Sequence, residues 1–505
     1  MAPSLTNETV GTASGTSHSR QPRGLATLFM TEMWERFSYY GMRALLVVYL
    51  ISGGPDSAAG SQGGGLAMKM ATATAVYSVY VGMVYLMAMP GGWLGDRVWG
   101  ARKTVTVAGV VIMSGHFLLA LPGQGMFFSG LALVAVGSGM LKANISTMVG
   151  HLYDGPADPR RDSGFTLFYV GINLGAFVAP FVIGTVGQEF NWHLGFALAG
   201  VGMALGLLQF LLGTRHLSAK SDVVPNPLSP QERSKLLATA AAVAGVVALF
   251  YTGVVMAGAF TLEWALLPLS LAGLLIPVGV LVRIKRDKEL SDTEQARMNG
   301  YIWFFVAAAV FWMIYDQGGS TLATFAEGKS ANTLLGFGFP STWFQSLNPL
   351  FVLALAPLFA SLWIGLARRD REPSTVAKFG LALVLVGASF FVFAVPLAVA
   401  GPDEKVSPMW LVAIYLVQTV AELCLSPVGL SLTTKMAPAK YGSQMMGVWF
   451  LAVTAGDCVA GLLSMTGVNL NGTPAIVGQA ALAVLAGVAI HLGRRTVRSL
   501  MGDVR

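Results

Sequence analysis

Between Thr31 and Arg43 the chain reads Glu32-Met33-Trp34-Glu35-Arg36-Phe37-Ser38-Tyr39-Tyr40-Gly41-Met42-Arg43, with four formal charges inside an otherwise apolar stretch. At about 100° per residue on a helix, Glu32, Glu35, Arg36, Tyr39, Tyr40 and Arg43 fall on one side. Met33, Trp34 and Phe37 are left for lipid or neighbouring helices. An ionised side chain at mid-membrane costs at least about 2.5 to 3.5 kcal/mol, so such charges face partners or a water-filled cavity and mark a path for an ion or a substrate. Two carboxylates, two guanidiniums and two phenols on one stripe suit a site that handles a zwitterion and protons. Three more charges stand inside apolar runs: Lys142 in Gly137-Ser138-Gly139-Met140-Leu141-Lys142-Ala143-Asn144, Asp316 in Trp312-Met313-Ile314-Tyr315-Asp316-Gln317-Gly318-Gly319, and Glu422 in Thr419-Val420-Ala421-Glu422-Leu423-Cys424. The first half thus holds most of the buried positive charge and the second half isolated negative charge. A dipeptide, with a carboxylate at one end and an ammonium at the other, has the matching polarity.

The elements that must position these groups are membrane-spanning helices. With 54% hydrophobic and 11% charged residues over 505 positions and a mean hydropathy of +0.64, a soluble protein is excluded. Runs long enough to cross about 30 Å as helices lie near 24 to 52, 69 to 95, 101 to 121, 124 to 149, 163 to 187, 192 to 214, 233 to 256, 261 to 284, 298 to 326, 341 to 367, 374 to 397, 408 to 436, 441 to 466 and 474 to 493. Residues 1 to 22 are polar and rich in Ser, Thr and Gly, without the apolar core and cleavage pattern of a signal peptide, and read as a disordered tail.

Of the 32 Lys and Arg, 26 fall in the tails and in the loops after even-numbered helices; Lys69, Lys329 and Lys405 fall on the other side, and Arg36, Arg43 and Lys142 within the membrane. By the positive-inside rule both termini are cytoplasmic. The net charge of +7 follows from that loop bias and is no sign of nucleic-acid binding. Cys424 and Cys458 read as inert packing thiols. No metal-ligand spacing, nucleotide loop or nucleophile elbow occurs.

Helices seven and eight are rich in Ala, Val and Leu, lack deep charge, and are bounded by basic polar segments. Removing them leaves six helices before and six after, with basic loops at Gly92 to Thr104 and Gly365 to Lys378 in the middle of each half. This is the pattern of a pseudo-repeated two-bundle transporter with its site between the halves. The expected organisation is a tail at 1–22, a six-helix bundle at 23–215, a linker and hairpin at 216–297, a second six-helix bundle at 298–494 and a cytoplasmic tail at 495–505.

On these residues the chain resembles the proton-coupled oligopeptide transporters of the major facilitator superfamily. The resemblance rests on the ExxERFSYYG block from Glu32 to Gly41, the loop Gly92-Trp93-Leu94-Gly95-Asp96-Arg97-Val98-Trp99-Gly100-Ala101-Arg102-Lys103, and Phe168-Tyr169-Val170-Gly171-Ile172-Asn173-Leu174-Gly175-Ala176. Trp343-Phe344-Gln345-Ser346-Leu347-Asn348-Pro349, Glu422 to Gly429, and Met445-Met446-Gly447-Val448-Trp449-Phe450-Leu451 continue it in family order. It implies an all-α polytopic membrane protein with twelve core helices in two bundles plus an inserted hairpin of the bacterial type.

The resemblance also implies roles. Arg36 and Lys142, with Tyr39, Tyr40 and Tyr85, would bind the peptide carboxylate and backbone, and Glu422 would receive the amino terminus. Asn173, Asn348 and Trp449 would line the pocket. Glu32 and Glu35 would respond to protons, Asp316 would be the proton-binding acid of the second half, and Asp96 and Arg97 would belong to a cytoplasmic latch that switches conformation without touching substrate. Three departures stand out: Asp316 replaces the usual Glu, Ala143 replaces the usual Pro, and Asp457 stands where a neutral polar residue is expected. The shorter Asp316 is expected to pair with Arg36 only if its helix moves closer or water intervenes. His116 reads as a hydrogen-bonded packing residue or a proton relay, and Asp457 as a pocket or proton group or a helix-to-helix hydrogen bond.

The function expected is proton-driven import of di- and tripeptides by alternating access, with the proton as coupling ion and no other cofactor. The location expected is the bacterial inner membrane, as a multi-pass monomer among membrane lipids. A nitrate-like anion carrier or an amino-acid transporter is the alternative within the class, and a polytopic membrane enzyme the alternative outside it.

Overall fold

In the computed structural model residues 20–58, 63–155, 158–401 and 404–502 are described. Most of the amino-terminal tail lies outside the described residues. Its last residues do not: the Gln21 amide donates to Arg160 O at 3.2 Å and Ser163 Oγ at 2.7 Å, and its oxygen accepts from Tyr153 at 2.9 Å.

Every apolar run is a helix. In order they are α1 (Arg23–Ile51), α2 (Met70–Leu86, continued through Ala88–Leu94 and Gly95–Trp99), α3 (Ala101–Leu119), α4 (Gln124–Gly150), α5 (Arg161–Ala179, continued to Phe190), α6 (Trp192–Gly213), α7 (Pro230–Met256) and α8 (Glu263–Lys285). Then follow α9 (Asp292–Tyr315, resuming at Thr321–Gly328), α10 (Leu347–Ala367), α11 (Thr375–Val399), α12 (Met409–Met436), α13 (Gly442–Met465) and α14 (Thr473–Leu492). Twelve of these stretches are long and apolar enough to cross a membrane. The other two, charged α1 and α3 with Arg102 and Lys103 near its start, run through the bundle packed on α5, α6 and α4 as the rest do. The all-α multi-pass fold read from the sequence is the fold observed.

Local chemistry sets the ends. Ser229 with Glu232 and Ser291 with Glu294 form reciprocal capping boxes that start α7 and α9. The second box begins α9 at Asp292, ahead of the apolar run expected from 298. A short antiparallel hairpin, Thr333–Leu334 with Phe337–Gly338, links α9 to α10. The expected carboxy-terminal tail is partly a helix, α15 (Arg494–Met501), which buries Val497 and Met501 one turn apart against the bundle.

Within the first half α1 packs on α5 and α6, and α3 on α4 and α6; within the second α11 packs on α14 and α12, and α9 on α13. The halves meet chiefly along α2 and α13, and α8 lies against both of these helices. No residue of α7 is buried. At the face opposite the chain termini the halves are tied by side chains. Gln188 donates to Glu327 and to Ser341 Oγ (2.8 Å), the Trp343 indole donates to Thr185 Oγ1 (2.8 Å), Ser346 donates to Phe177 O (2.8 Å), and the Phe181 and Trp343 rings meet edge-on at 4.9 Å. Among the described residues no such bond joins the halves at the terminal face, where Arg97 pairs with Glu232 of α7 and Lys440 with Asp287 and Glu289 of the linker. Lys440, with the Tyr441 hydroxyl, holds the Asp287 carboxyl below the usual carboxylate range.

Candidate substrate and proton site

The α1 stripe divides into two clusters. Nearer the amino terminus Arg36 Nε stands 3.0 Å from Glu32 Oε1 and 2.5 Å from Glu35 Oε2, and Ser138 of α4 donates to Glu35 Oε1 at 2.9 Å. All three charged side chains are buried. Arg36 Nη2 is buried and has no hydrogen-bond partner among the described residues. Its charge lies over the Tyr39 ring at 5.4 Å, and Tyr39 stacks on Tyr80 at 6.3 Å.

About two turns further along, Arg43 does what was expected of Arg36. Its Nη2 meets Asp316 Oδ1 at 2.9 Å, across the two halves. The expected Asp316 to Arg36 pair is therefore corrected: both arginines lie on the same side of α1, and depth along the helix decides which one the acid reaches. Arg43 Nε also donates to Tyr77 Oη at 2.5 Å, and Tyr77 donates to Asp316 O at 3.0 Å. Asp316 sits where α9 breaks, in the turn Asp316–Gly319, which Gly318 and Gly319 interrupt. Carbonyls freed by a break inside a membrane need partners. Tyr77 and Arg43 serve Asp316 O, while Gln345 (2.7 Å) and Tyr415 (3.1 Å) serve Gly318 O.

Lys142 has no carboxylate among the described residues. Its ammonium lies 3.6 Å from the Tyr85 ring centre and 5.2 Å from that of Phe450, which stacks on Tyr85 from the second half at 6.0 Å. Glu422 is held within the second half: Tyr315 donates a short hydrogen bond to its Oε2 and the Asn348 amide donates at 3.1 Å. Asn348 also reaches Tyr315 Oη (2.6 Å) and Thr419 Oγ1 (3.1 Å). The Arg43 guanidinium lies over the Tyr40 ring at 5.8 Å, and Tyr39 meets that ring edge-on at 5.2 Å.

Other expected residues stand apart. Asn173 is buried and donates back to Tyr169 O at 3.0 Å. Trp449, expected in the pocket wall, is only 3% exposed and packs within the second half, edge-on to Phe379 at 6.2 Å and over Gly429, where a Cβ would come within 2.0 Å of the ring. Asp96 is exposed, while Arg97 bonds Glu232 at 2.9 Å and so ties α2 to the inserted hairpin. His116 is fully buried with neither ring nitrogen hydrogen-bonded, which removes the bonded part of its expected packing role. Cys424 and Cys458 are buried and unpaired. Sequence reasoning missed Tyr77 as a hub, although Tyr77, Tyr80 and Tyr85 recur at helical spacing; it also missed Phe450, which lay in plain view beside Trp449.

Fold and site together define a multi-pass membrane transporter. The profile of the POT family matches residues 102–476, and the chain belongs to that family. It is 45% identical over 440 residues to the uncharacterized transporter YclF of Bacillus subtilis (strain 168), covering 87% of this chain and 86% of that one. It is 39% identical over 497 residues to the di-/tripeptide transporter of Lactococcus lactis subsp. cremoris, covering 96% of this chain and 97% of that one. The crystal structure of a peptide transporter POT in complex with sulfate superposes with a TM-score of 0.89 at 41% identity, covering 95% of this chain and 96% of that one.

Proposed function

We propose that this protein is a proton-coupled symporter that imports di- and tripeptides by alternating access. The observation that carries the reading is the division of charge. The first half offers Lys142 without a carboxylate and Arg36 Nη2 without a partner, the second half offers Glu422, and a separate ion pair, Arg43 with Asp316, crosses between the halves. A peptide carboxylate would bind Lys142 and Arg36. The peptide ammonium would bind Glu422, exchanging part of the Tyr315 and Asn348 hydrogen bonding for its own charge-assisted bonds. Varied side chains are accommodated because affinity rests on the two ends and the backbone.

Coupling follows from the crossing pair. A buried carboxylate that loses its guanidinium must take a proton or remain an unpaired charge in the membrane. Parting of Arg43 from Asp316 and protonation of Asp316 would therefore occur together, and only while the halves rearrange. The lysine and arginine bias of the loops supports cytoplasmic termini, which makes the tied face the external one and the structure a state closed to the outside. The relatives support a bacterial inner-membrane location, and the separate site in one chain supports a functional monomer.

The test is uptake of labelled dialanine into proteoliposomes. Accumulation driven by an inward proton gradient and abolished by an uncoupler is expected. Accumulation driven by sodium alone, or nitrate transport without peptide competition, would overturn the reading.

A further inference from the structure

Four acids are buried within the spans among the described residues, Glu32, Glu35, Asp316 and Asp457, and Glu422 is half-buried. Of these five, all but Asp457 are engaged, by the arginines, by Ser138, or by Tyr315 and Asn348. Asp457 is 2% exposed on α13, its Oδ2 has no hydrogen-bond partner, and no cation pairs with it among the described residues.

Its surroundings place it in the seam between the halves. A Cβ on Gly82 of α2 would lie 3.4 Å from Asp457 Cβ and 3.3 Å from Thr454 O, and Thr454 donates to Gly82 O at 3.0 Å. A side chain at Gly82 would press on α13, so the glycine favours this close approach. On the neighbouring side a Cβ on Gly273 of α8 would lie 2.2 Å from Cys458 Sγ, so the hairpin closes over the seam. The preceding Gly456 packs on Ala309 and Met313 of α9. The charged groups within electrostatic reach are Asp316 and Arg43, and Arg43 is already occupied. The other titratable groups of the packed elements are Tyr77, Tyr80 and Tyr85 on α2 with Asp96 and Arg97 at its end, Tyr301 and Tyr315 on α9 with Asp292, Glu294, Arg297 and Glu327 towards its ends, Cys458 on α13 itself, and Glu263, Arg283 and Lys285 at the ends of α8.

A carboxylate sealed between helices with neither cation nor donor is an uncompensated charge, whereas the carboxylic acid is tolerated there. Alternating access moves the two halves, and with them α2 against α13. We propose that Asp457 carries a second proton in each transport cycle, taking it from water as a carboxylate on one side and returning it to water on the other. The acid is sealed by the α2–α13 seam in between. This rests on the reading of the protein as a proton-coupled importer. The competing account, a polar packing group, has no use for the ionisable form.

The proton-to-peptide ratio separates the two. It is measured in proteoliposomes as the pH gradient or membrane potential that just balances a set dialanine gradient. Asp457→Asn, which keeps shape and polarity, should lower the ratio by about one proton per peptide and flatten the pH profile of uptake, and Asp457→Glu should restore it. An unchanged ratio in Asp457→Asn would overturn the proposal while leaving proton coupling intact. Absence of proton-driven uptake in the parent protein would instead overturn the importer reading on which it rests. If Asp457→Asn transports too poorly for a ratio, infrared spectra of the solubilised protein decide. A component of the protonated-carboxyl band lost in the variant is expected, and an unaltered band would overturn the proposal.

Discussion

Arg36 and Arg43 are two guanidiniums on one side of one helix, and the structure uses them differently. Arg36 is paired in charge with acids of its own helix, Glu32 one turn back and Glu35 beside it, with Ser138 of the same half behind them. Such a cluster travels as a unit when the halves move, so its charge state is independent of their separation. Arg43 meets Asp316 and, through Tyr77, the broken turn of α9 in the opposite half. That contact cannot survive separation. In the transport cycle proposed above the first cluster would hold a ligand and the second would register conformation, although sequence spacing makes them equivalents.

The strongest way to break this contrast is Asp316→Asn, which imitates the protonated acid permanently. The proton-to-peptide ratio should fall by the one proton that Asp316 carries, and with Asp457→Asn added gradient-driven accumulation of dialanine should disappear while counterflow exchange, which needs no net proton cycle, persists. If the double variant still concentrates peptide, coupling lies elsewhere and the contrast fails. Arg36→Gln should act in another way. It leaves two buried acids without their cation, a loss of about 3 to 5 kcal/mol for breaking a buried pair, visible as a lower unfolding midpoint in detergent together with weakened peptide binding. Arg43→Gln should lose coupling with a smaller loss of binding, and equal binding losses in the two variants would remove the distinction.

Glu422 sharpens the comparison from the second half, since its partners Tyr315 and Asn348 are of its own half. Glu422→Gln should weaken free dipeptides relative to N-acetylated ones by about 1.5 to 3 kcal/mol, roughly ten- to hundredfold in competition assays. It should leave the proton-to-peptide ratio alone; equal losses for both ligands would free Glu422 from the ammonium. The smallest effect is expected at the tied face. Trp343→Phe removes one neutral hydrogen bond, to Thr185 Oγ1. At about 1 kcal/mol net for a bond, the face should open several-fold more often, measurable as faster alkylation of a cysteine introduced nearby.

The helices were legible because membrane spans announce themselves by length and apolarity, and the α1 stripe because helical periodicity is local. Pairing was not legible. Arg36 and Arg43 differ by about two turns of depth, and depth relative to α9 exists only once the halves are packed. The packing of Trp449 was likewise not legible, since only the fold shows that it lies over Gly429 and edge-on to Phe379. The early start of α9 could have been read, for Ser291 and Glu294 have the spacing of a capping box. α15 was hidden by its arginines, because Val497 and Met501 are too few to stand out beside them.

The inserted hairpin has a mechanical consequence. α8 covers the line where α2 meets α13, and α7, with no buried residue, stands outside it. In a membrane α8 would stand between the acyl chains and this joint, in a hairpin anchored through Glu232 to Arg97 at one end. The hairpin then acts as a gasket, and the lateral pressure of the bilayer is delivered to the joint through it, so turnover should respond to acyl-chain thickness in a way that shortening α7 and α8 would shift.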